Sequence, residues 1–229
     1  MNSMRPIKPM KLIIFDLDGT LLDTLSDLTS SVNYAMRCMH MPERTRQEVL
    51  SFIGNGNRML MARCVENGDE ETIDLALSKF HEYYRCHYAD ETVSYPGIPE
   101  LLEDLKAGGF KLAVISNKAD YAVQDLCRKY FGERFQFVLG DREGIRRKPS
   151  AEPIDLALKS LHLTKEEAIY VGDSEVDIET AANAGLPCIS VSWGFRPHEV
   201  LVSAGARIIV SSPAELTAAI RKLSASPQE

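Results

Sequence analysis

The sequence predicts an α/β fold: a doubly wound, mainly parallel sheet, Rossmann-like, with an α-helical unit inserted after its first strand. Three observations carry this reading. From Pro96 onward, short apolar runs alternate with helical patterns, as in a parallel sheet covered on both faces. Between about Asp23 and Tyr88 the spacing is helical and strand-like runs are few. Ahead of both stands one apolar run, Leu12-Ile13-Ile14-Phe15, which ends abruptly in Asp16 and, two residues on, Asp18. The expected boundaries are residues 1–22 and 92–229 for the core and 23–91 for the inserted helical unit.

Taken in order, Leu12–Phe15 reads as the first strand. In the stretch that follows, Leu25, Leu28, Val32, Ala35, Met36 and Met39 mark one face of a helix. RQEVLSFIG, NRMLMARCVEN and DEETIDLALSKFHEYYRCHY read as further helices, separated by Gly54, Gly56 and Gly68. TVSYPGIPE is a Pro- and Gly-punctuated return. Helix GIPELLEDLKAGG then leads to strand KLAVIS, YAVQDLCRKYF to QFVLG, and EPIDLALKSLH to AIYVG. VDIETAANAG leads to CISVS, PHEVLVSAG to ARIIV, and PAELTAAIRKL closes the chain. Thr164 with Glu167 and Ser212-Pro213 with Glu215 read as capping boxes, and Gly185 as a helix stop.

With 229 residues, 45% of them hydrophobic, the chain can bury a large core plus a smaller unit. Its net charge of −7 argues against nucleic acid or an anionic membrane as main partner, but leaves room for a small anionic ligand at a locally positive site. The five cysteines, Cys38, Cys64, Cys86, Cys127 and Cys188, are odd in number and never form C-x-x-C, so free thiols are expected. No segment is apolar enough to span a bilayer, and Asp16 cuts the first apolar run too short for a secretory signal. A cytoplasmic monomer or homodimer, frayed only at its SASPQE tail, is the expectation.

Aspartate is a poor strand residue and costly to bury unpaired, and two carboxylates this close repel. Ligands of parallel sheets bind beyond the carboxyl ends of the strands, where Asp16 and Asp18 stand. Other strand ends carry comparable chemistry: Ser116-Asn117-Lys118 after KLAVI, Gly172-Asp173-Ser174 with Asp177 after AIYV, and Lys148 before a proline-marked helix start. Together these offer carboxylates, a hydroxyl, an amide and an ammonium to one crevice, which is what phosphoryl transfer requires. Asp16 and Asp173 suit Mg²⁺, which binds through a few carboxylates, water and phosphate. Ser116 and Asn117 can hydrogen-bond phosphoryl oxygens while Lys148 offsets their charge. Asp16 can attack phosphorus. Asp18, on the same side of the chain, can protonate the leaving oxygen and then activate water.

The motifs D16-L-D-G-T20, Ser116-Asn117, Lys148-Pro149 and G172-D-S-E-V-D177 resemble, in order and spacing, those of the haloacid dehalogenase-like phosphohydrolases. The resemblance implies Mg²⁺ held by Asp16, Asp173 and the main-chain carbonyl of Asp18, with Asp177 in support. It also implies Asp16 as nucleophile, Asp18 as acid/base, Lys148 as a catalytic cation, and phosphate contacts from Gly19, Thr20, Ser116 and Asn117. The dehalogenases that name the family lack the second aspartate, so Asp18 favours phosphate chemistry. I53-G-N-G-N-R-M-L60 and S94-Y-P-G97 resemble the phosphoglycolate phosphatase branch, in which Asn57 or Arg58 would meet an anion of a small phosphorylated metabolite. Rival readings are a β-phosphoglucomutase-like mutase, a pyrophosphate or nucleotide phosphatase, and a silent binding module; the intact motif set argues against the last. The methionines at 36, 39, 59 and 61 and the aromatic stretch 83–88 read as packing, and Trp193 as a packing residue in a loop.

Overall fold

The computed structural model describes residues 10–66 and 68–225. Residues 1–9, 67 and most of the SASPQE tail lie outside the described part. Six parallel strands form the sheet in the order β5-β4-β1-β6-β7-β8. They are β1 (Leu12–Phe15), β4 (Lys111–Ala119), β5 (Phe137–Asp141), β6 (Ala168–Gly172), β7 (Cys188–Val191) and β8 (Ile209–Val210).

Strand alternation sorts the core into two layers. Ile13, Phe15, Leu112, Val114, Ile169 and Val171 face one side, under α5 (Ile98–Ala107), α6 (Asp120–Phe131) and α10 (Pro213–Ala225). Leu12, Ile14, Ala113, Ile115 and Tyr170 face the other, under α7 (Glu152–Leu161) and α8 (Glu175–Ala184). The side chains of Leu12–Phe15 are all fully buried, each worth about 1.5–3 kcal/mol. Leu201 of α9 (His198–Ser203) is buried as well.

Where helical spacing is expected, from about residue 23 to 88, the described residues form α1 (Leu25–Cys38), α2 (Arg46–Phe52), α3 (Asn57–Val65) and α4 (Glu70–His87). These pack around their own apolar cluster, which includes Val32, Met36, Leu60, Met61, Phe80 and Tyr84. Two core side chains, Ala122 and Phe195, join that cluster and seat the helices on the sheet end. The chain leaves and returns through an antiparallel ribbon absent from the sequence reading, β2 (Leu22–Asp23) against β3 (Val93–Ser94). With two residues per strand, it carries no periodicity to read. Asp27 of α1 pins the return: its buried carboxylate accepts from the amides of Glu91 and Thr92, both at 2.9 Å, and from the Thr92 hydroxyl at 2.7 Å.

The local signals mostly hold, with two shifts. The Thr164–Glu167 box caps only a one-turn 3₁₀ helix, Lys165–Glu167. At α10, Glu215 donates its amide to Ser212, but its carboxylate reaches back to Ser211 rather than Ser212. Gly185 ends α8 in the left-handed conformation, as expected. All five cysteines are free thiols. No helix among the described residues is long and apolar enough to cross a membrane.

Candidate active site

The carboxyl ends of β1, β4 and β6 and the loop after β5 converge under the helical unit. The cavity there is lined from the core by Asp16, Asp18, Ser116, Asn117, Lys118, Lys148 and Asp173, and from above by Leu28, Ile53, Gly54, Gly56, Asn57 and Leu60. The Lys148 ammonium lies 2.9 Å from Asp16 Oδ1 and 2.8 Å from Asp177 Oδ1, and donates to the Tyr170 hydroxyl at 3.2 Å. Its three donors are all engaged. Burial opposes the charge on Lys148, but Asp16 and Asp177 outweigh it and hold its pKa well above the ordinary lysine value.

Asp177 is a supporting residue. Its Oδ2 accepts from the amides of Asp173 and Ser174 and from the Ser174 hydroxyl, while Oδ1 faces Lys148 and Tyr170. This arrangement doubles as the N-terminal capping box of α8, with Asp177 in the place usually taken by Glu. Gly172 makes it possible, since a Cβ there would lie 2.3 Å from the Asp177 carboxyl carbon. Asp173 accepts from the Thr20 hydroxyl at 3.0 Å and the Phe195 amide at 2.7 Å. Gly19, at φ +82°, lets the two loops close, because a Cβ on it would stand 2.3 Å from Asp173 Oδ2. Gly19 and Thr20 therefore serve Asp173 and do not line the cavity, unlike their expected phosphate-binding role. The Trp193 indole donates to the Thr20 carbonyl at 3.1 Å and packs on the core, fixing the same loop.

These residues fit a divalent cation. One carboxylate oxygen from each of Asp16, Asp173 and Asp177 lies within 4.8 Å of the others. The Lys148 ammonium pairs with Asp16 and Asp177 but not with Asp173, so one cation is too few for three ionised acids. Burial, opposed by Lys148 and reinforced by Asp177 and Asp18, pushes Asp16 up to about 7. Burial, then Asp177 and Asp16, push Asp173 well above the usual carboxylate range. Carboxylates so disfavoured as anions are what a bound cation relieves. The Asp18 side chain stands apart from this trio. Its Oδ1 meets the Lys118 ammonium at 2.7 Å and the Thr24 hydroxyl at 2.7 Å.

The structure separates the other expected contacts. Ser116 lines the cavity, but the Asn117 amide is already engaged: it donates to the carbonyls of Lys148 and Gly54 and accepts from the Lys148 amide. Asn57 lines the cavity at the start of α3. Arg58 does not. It turns away to pair with Glu70 and Asp74 of α4, on the outer face of the helical unit. Helical periodicity explains the difference: with about 100° per residue, neighbours at a helix start point to different sides.

Tyr170, Phe195 and Arg196 escape the sequence reading, which names Lys118 at its strand end without a role. Lys118 and Tyr170 are buried polar groups inside strands, where side-chain partners depend on the neighbouring strand. Lys118 immediately follows the Ser-Asn motif, which places it at the strand end but cannot show that it pairs with Asp18. Phe195 and Arg196 come from the loop after β7; Arg196 pairs with Glu175 and donates to the carbonyls of Leu50 and Ile53 at the end of α2.

A family model described as haloacid dehalogenase-like hydrolase matches residues 13–191, which takes in every strand end that builds the cavity. The chain belongs to the haloacid dehalogenase-like hydrolases. This hydrolase is 30% identical over 214 residues to phosphoglycolate phosphatase 1 of Pseudomonas aeruginosa, covering 90% of the chain and 78% of that protein. It is 34% identical to the phosphoglycolate phosphatase of Mannheimia succiniciproducens, covering 81% of the chain and 87% of the relative. The crystal structure of a putative phosphoglycolate phosphatase from Lactobacillus delbrueckii subsp. bulgaricus superposes with a TM-score of 0.89 at 35% identity, over 93% of the chain and 99% of the other. By family and relatives the hydrolase is a phosphatase.

Proposed function

We propose that this phosphatase is Mg²⁺-dependent and acts in the cytoplasm on a small phosphorylated metabolite, phosphoglycolate being the preferred substrate. One observation carries the chemistry: Asp16 is held by Lys148 and the Leu17 amide through Oδ1, while Oδ2 has no hydrogen-bond partner among the described residues. A carboxylate oxygen that opens onto the cavity from a largely buried residue, oriented but not engaged, is a nucleophile's arrangement.

In this reading Asp16 Oδ2 attacks phosphorus in line and the bond to the leaving oxygen breaks, giving an aspartyl-phosphate. Asp18 gives its proton to the departing oxygen, and Lys118 and Thr24 then stabilise the carboxylate that remains. In the second half, Asp18 takes a proton from water as the water attacks the phosphoryl group, which regenerates Asp16 and releases phosphate. Ser116 holds a phosphoryl oxygen. Lys148 fixes the orientation of Asp16, and Asp177 fixes Lys148. Asp16, Asp173 and the Asp18 carbonyl would hold the cation, which when bound neutralises charge between carboxylates and phosphoryl oxygens. The helical unit, seated through Ala122 and Phe195, keeps bulk water from the intermediate.

The test is a panel of phosphorylated metabolites assayed with Mg²⁺ for phosphate release and for phosphoryl transfer to sugar hydroxyls. Hydrolysis of phosphoglycolate ahead of the sugar phosphates and nucleotides is expected. Transfer to a sugar in place of release would overturn the phosphatase reading, and a different leading substrate would overturn the preference.

A further inference from the structure

The cavity holds three cations, and they differ in how many of their donors are occupied. Lys148 uses all three, toward Asp16, Asp177 and Tyr170. Arg196 uses Nε and both terminal nitrogens, toward Glu175 and the carbonyls of Leu50 and Ile53. Lys118, 4% exposed, has one hydrogen-bonded acceptor for its ammonium among the described residues, Asp18 Oδ1 at 2.7 Å. Tyr84 is its other neighbour: the ring lies 5.2 Å from the ammonium, and the buried Tyr84 side chain helps to favour the Lys118 charge. An ammonium carries three donors, so even with Asp18 and Tyr84 beside it donor capacity remains on a buried group that lines the cavity. Such a group is costly until oxygen acceptors meet it.

The rest of the cavity says what those acceptors belong to. In the proposed reaction the phosphate end is defined by Asp16, Ser116 and Lys148 and the leaving oxygen lies by Asp18, whose Oδ1 the Lys118 ammonium meets. The remaining wall is largely apolar, formed by Leu28, Ile53, Leu60, Val176 and Phe195. A charged group on the leaving side needs a partner when buried, and Arg58 is engaged elsewhere with Glu70 and Asp74. We propose that Lys118 is the specificity-determining cation of this cavity, its open donors receiving a carboxylate carried by the leaving alcohol of a short phosphomonoester. The inference rests on the phosphatase reading above and on Asp18 as the group beside the leaving oxygen.

The test compares phosphoglycolate with its neutral primary amide, which has the same length and the same phosphate. Wild type should prefer the carboxylate by at least about tenfold in kcat/KM, the worth of one charge-assisted contact. Lys118→Met should bring that ratio toward one, a loss of about 10- to 150-fold in discrimination, and Lys118→Arg should retain part of it. A wild-type ratio near one, or a ratio that survives Lys118→Met, overturns the inference; equal losses on both substrates would leave Lys118 only positioning Asp18. Should Lys118→Met not fold, wild type decides: glycolate should inhibit hydrolysis of an aryl phosphate at least about tenfold more strongly than ethylene glycol, and equal inhibition overturns the inference. Failure of the phosphatase reading itself looks different, since wild type would then release no phosphate from the aryl ester with Mg²⁺.

Discussion

On the core side of the cavity the charged groups around the phosphoryl position are held by their neighbours, with Lys148 between Asp16 and Asp177, Asp177 under the start of α8, and Asp173 between Thr20 and Phe195, while Lys118 keeps donor capacity to spare. On the cap side the lining is Leu28, Ile53, Leu60, two glycines and Asn57, and the nearby cation Arg58 binds the cap's own acids instead. The difference follows from what each wall does. A phosphoryl group is the same in every substrate, so its site can be rigid and preorganised, with its charges fixed in advance. A wall that closes over a varying leaving group must seal out water and fit a shape, and apolar side chains do both without desolvation cost.

The contrast breaks most sharply at Asp16. Asp16→Asn should fold normally yet lose at least about two orders of magnitude in turnover, since an amide cannot form the phosphoryl ester. Phosphate-release kinetics and mass spectrometry of wild type trapped with a phosphate analogue check this. A variant that retains more than a few per cent of activity would remove the nucleophile from Asp16.

Metal removal comes next, and its pH dependence sharpens the electrostatic half of the comparison. Asp16 is pushed up to about 7, and Asp173 well above the carboxylate range, in the metal-free protein. A carboxyl raised above its unfolded value of about 3.9 supports the fold below that value and loses the contribution as pH climbs through its folded value. Chelated protein should therefore weaken between about pH 4 and 7 and beyond. Mg²⁺, taking the proton's place, should raise the melting temperature more at pH 8 than at pH 5. An equal gain at both pH values would detach these carboxylates from the cation. Asp173→Ala should lose the gain and the activity together.

Asp27→Ala tests whether the cap is held as firmly as the core. It strips the acceptor from two backbone amides and a hydroxyl at the return of the chain, so a loss of about 2–4 kcal/mol is expected in denaturant melts. A change within 0.5 kcal/mol of zero, roughly the usual scatter for surface sites, would make that junction dispensable. The smallest effect belongs to Arg58→Ala. Its ion pairs are solvent-exposed, so stability should move by no more than about 0.5 kcal/mol, and kcat/KM for phosphoglycolate and for an aryl phosphate should stay together. Selective loss on the carboxylated substrate would return Arg58 to the site and displace Lys118.

By itself the sequence determined the layers, the order of the core strands and helices, and the residues at the strand ends, but not the β2–β3 ribbon. The alternation of short apolar runs with helical patterns is local and strong, and Asp16, Asp18, Asp173 and Lys148 stand at positions that a βα order brings to one edge whatever the packing details. It also marked the helices of the inserted unit, because their apolar stripes repeat every three to four residues. Only the tertiary structure decided which charges meet. Lys118 and Lys148 look alike as isolated lysines after a turn, yet one has its donors filled and the other does not, because Tyr170 and Asp177 come from β6 and α8 while Lys118 faces the cap. Arg58 and Asn57 are neighbours in the chain and opposites in space, since the α3 axis, set by packing against α4, aims one side chain at the cavity and the other at Glu70 and Asp74. Pairing between side chains far apart in sequence depends on distances of a few ångströms, and these exist only once the chain has packed.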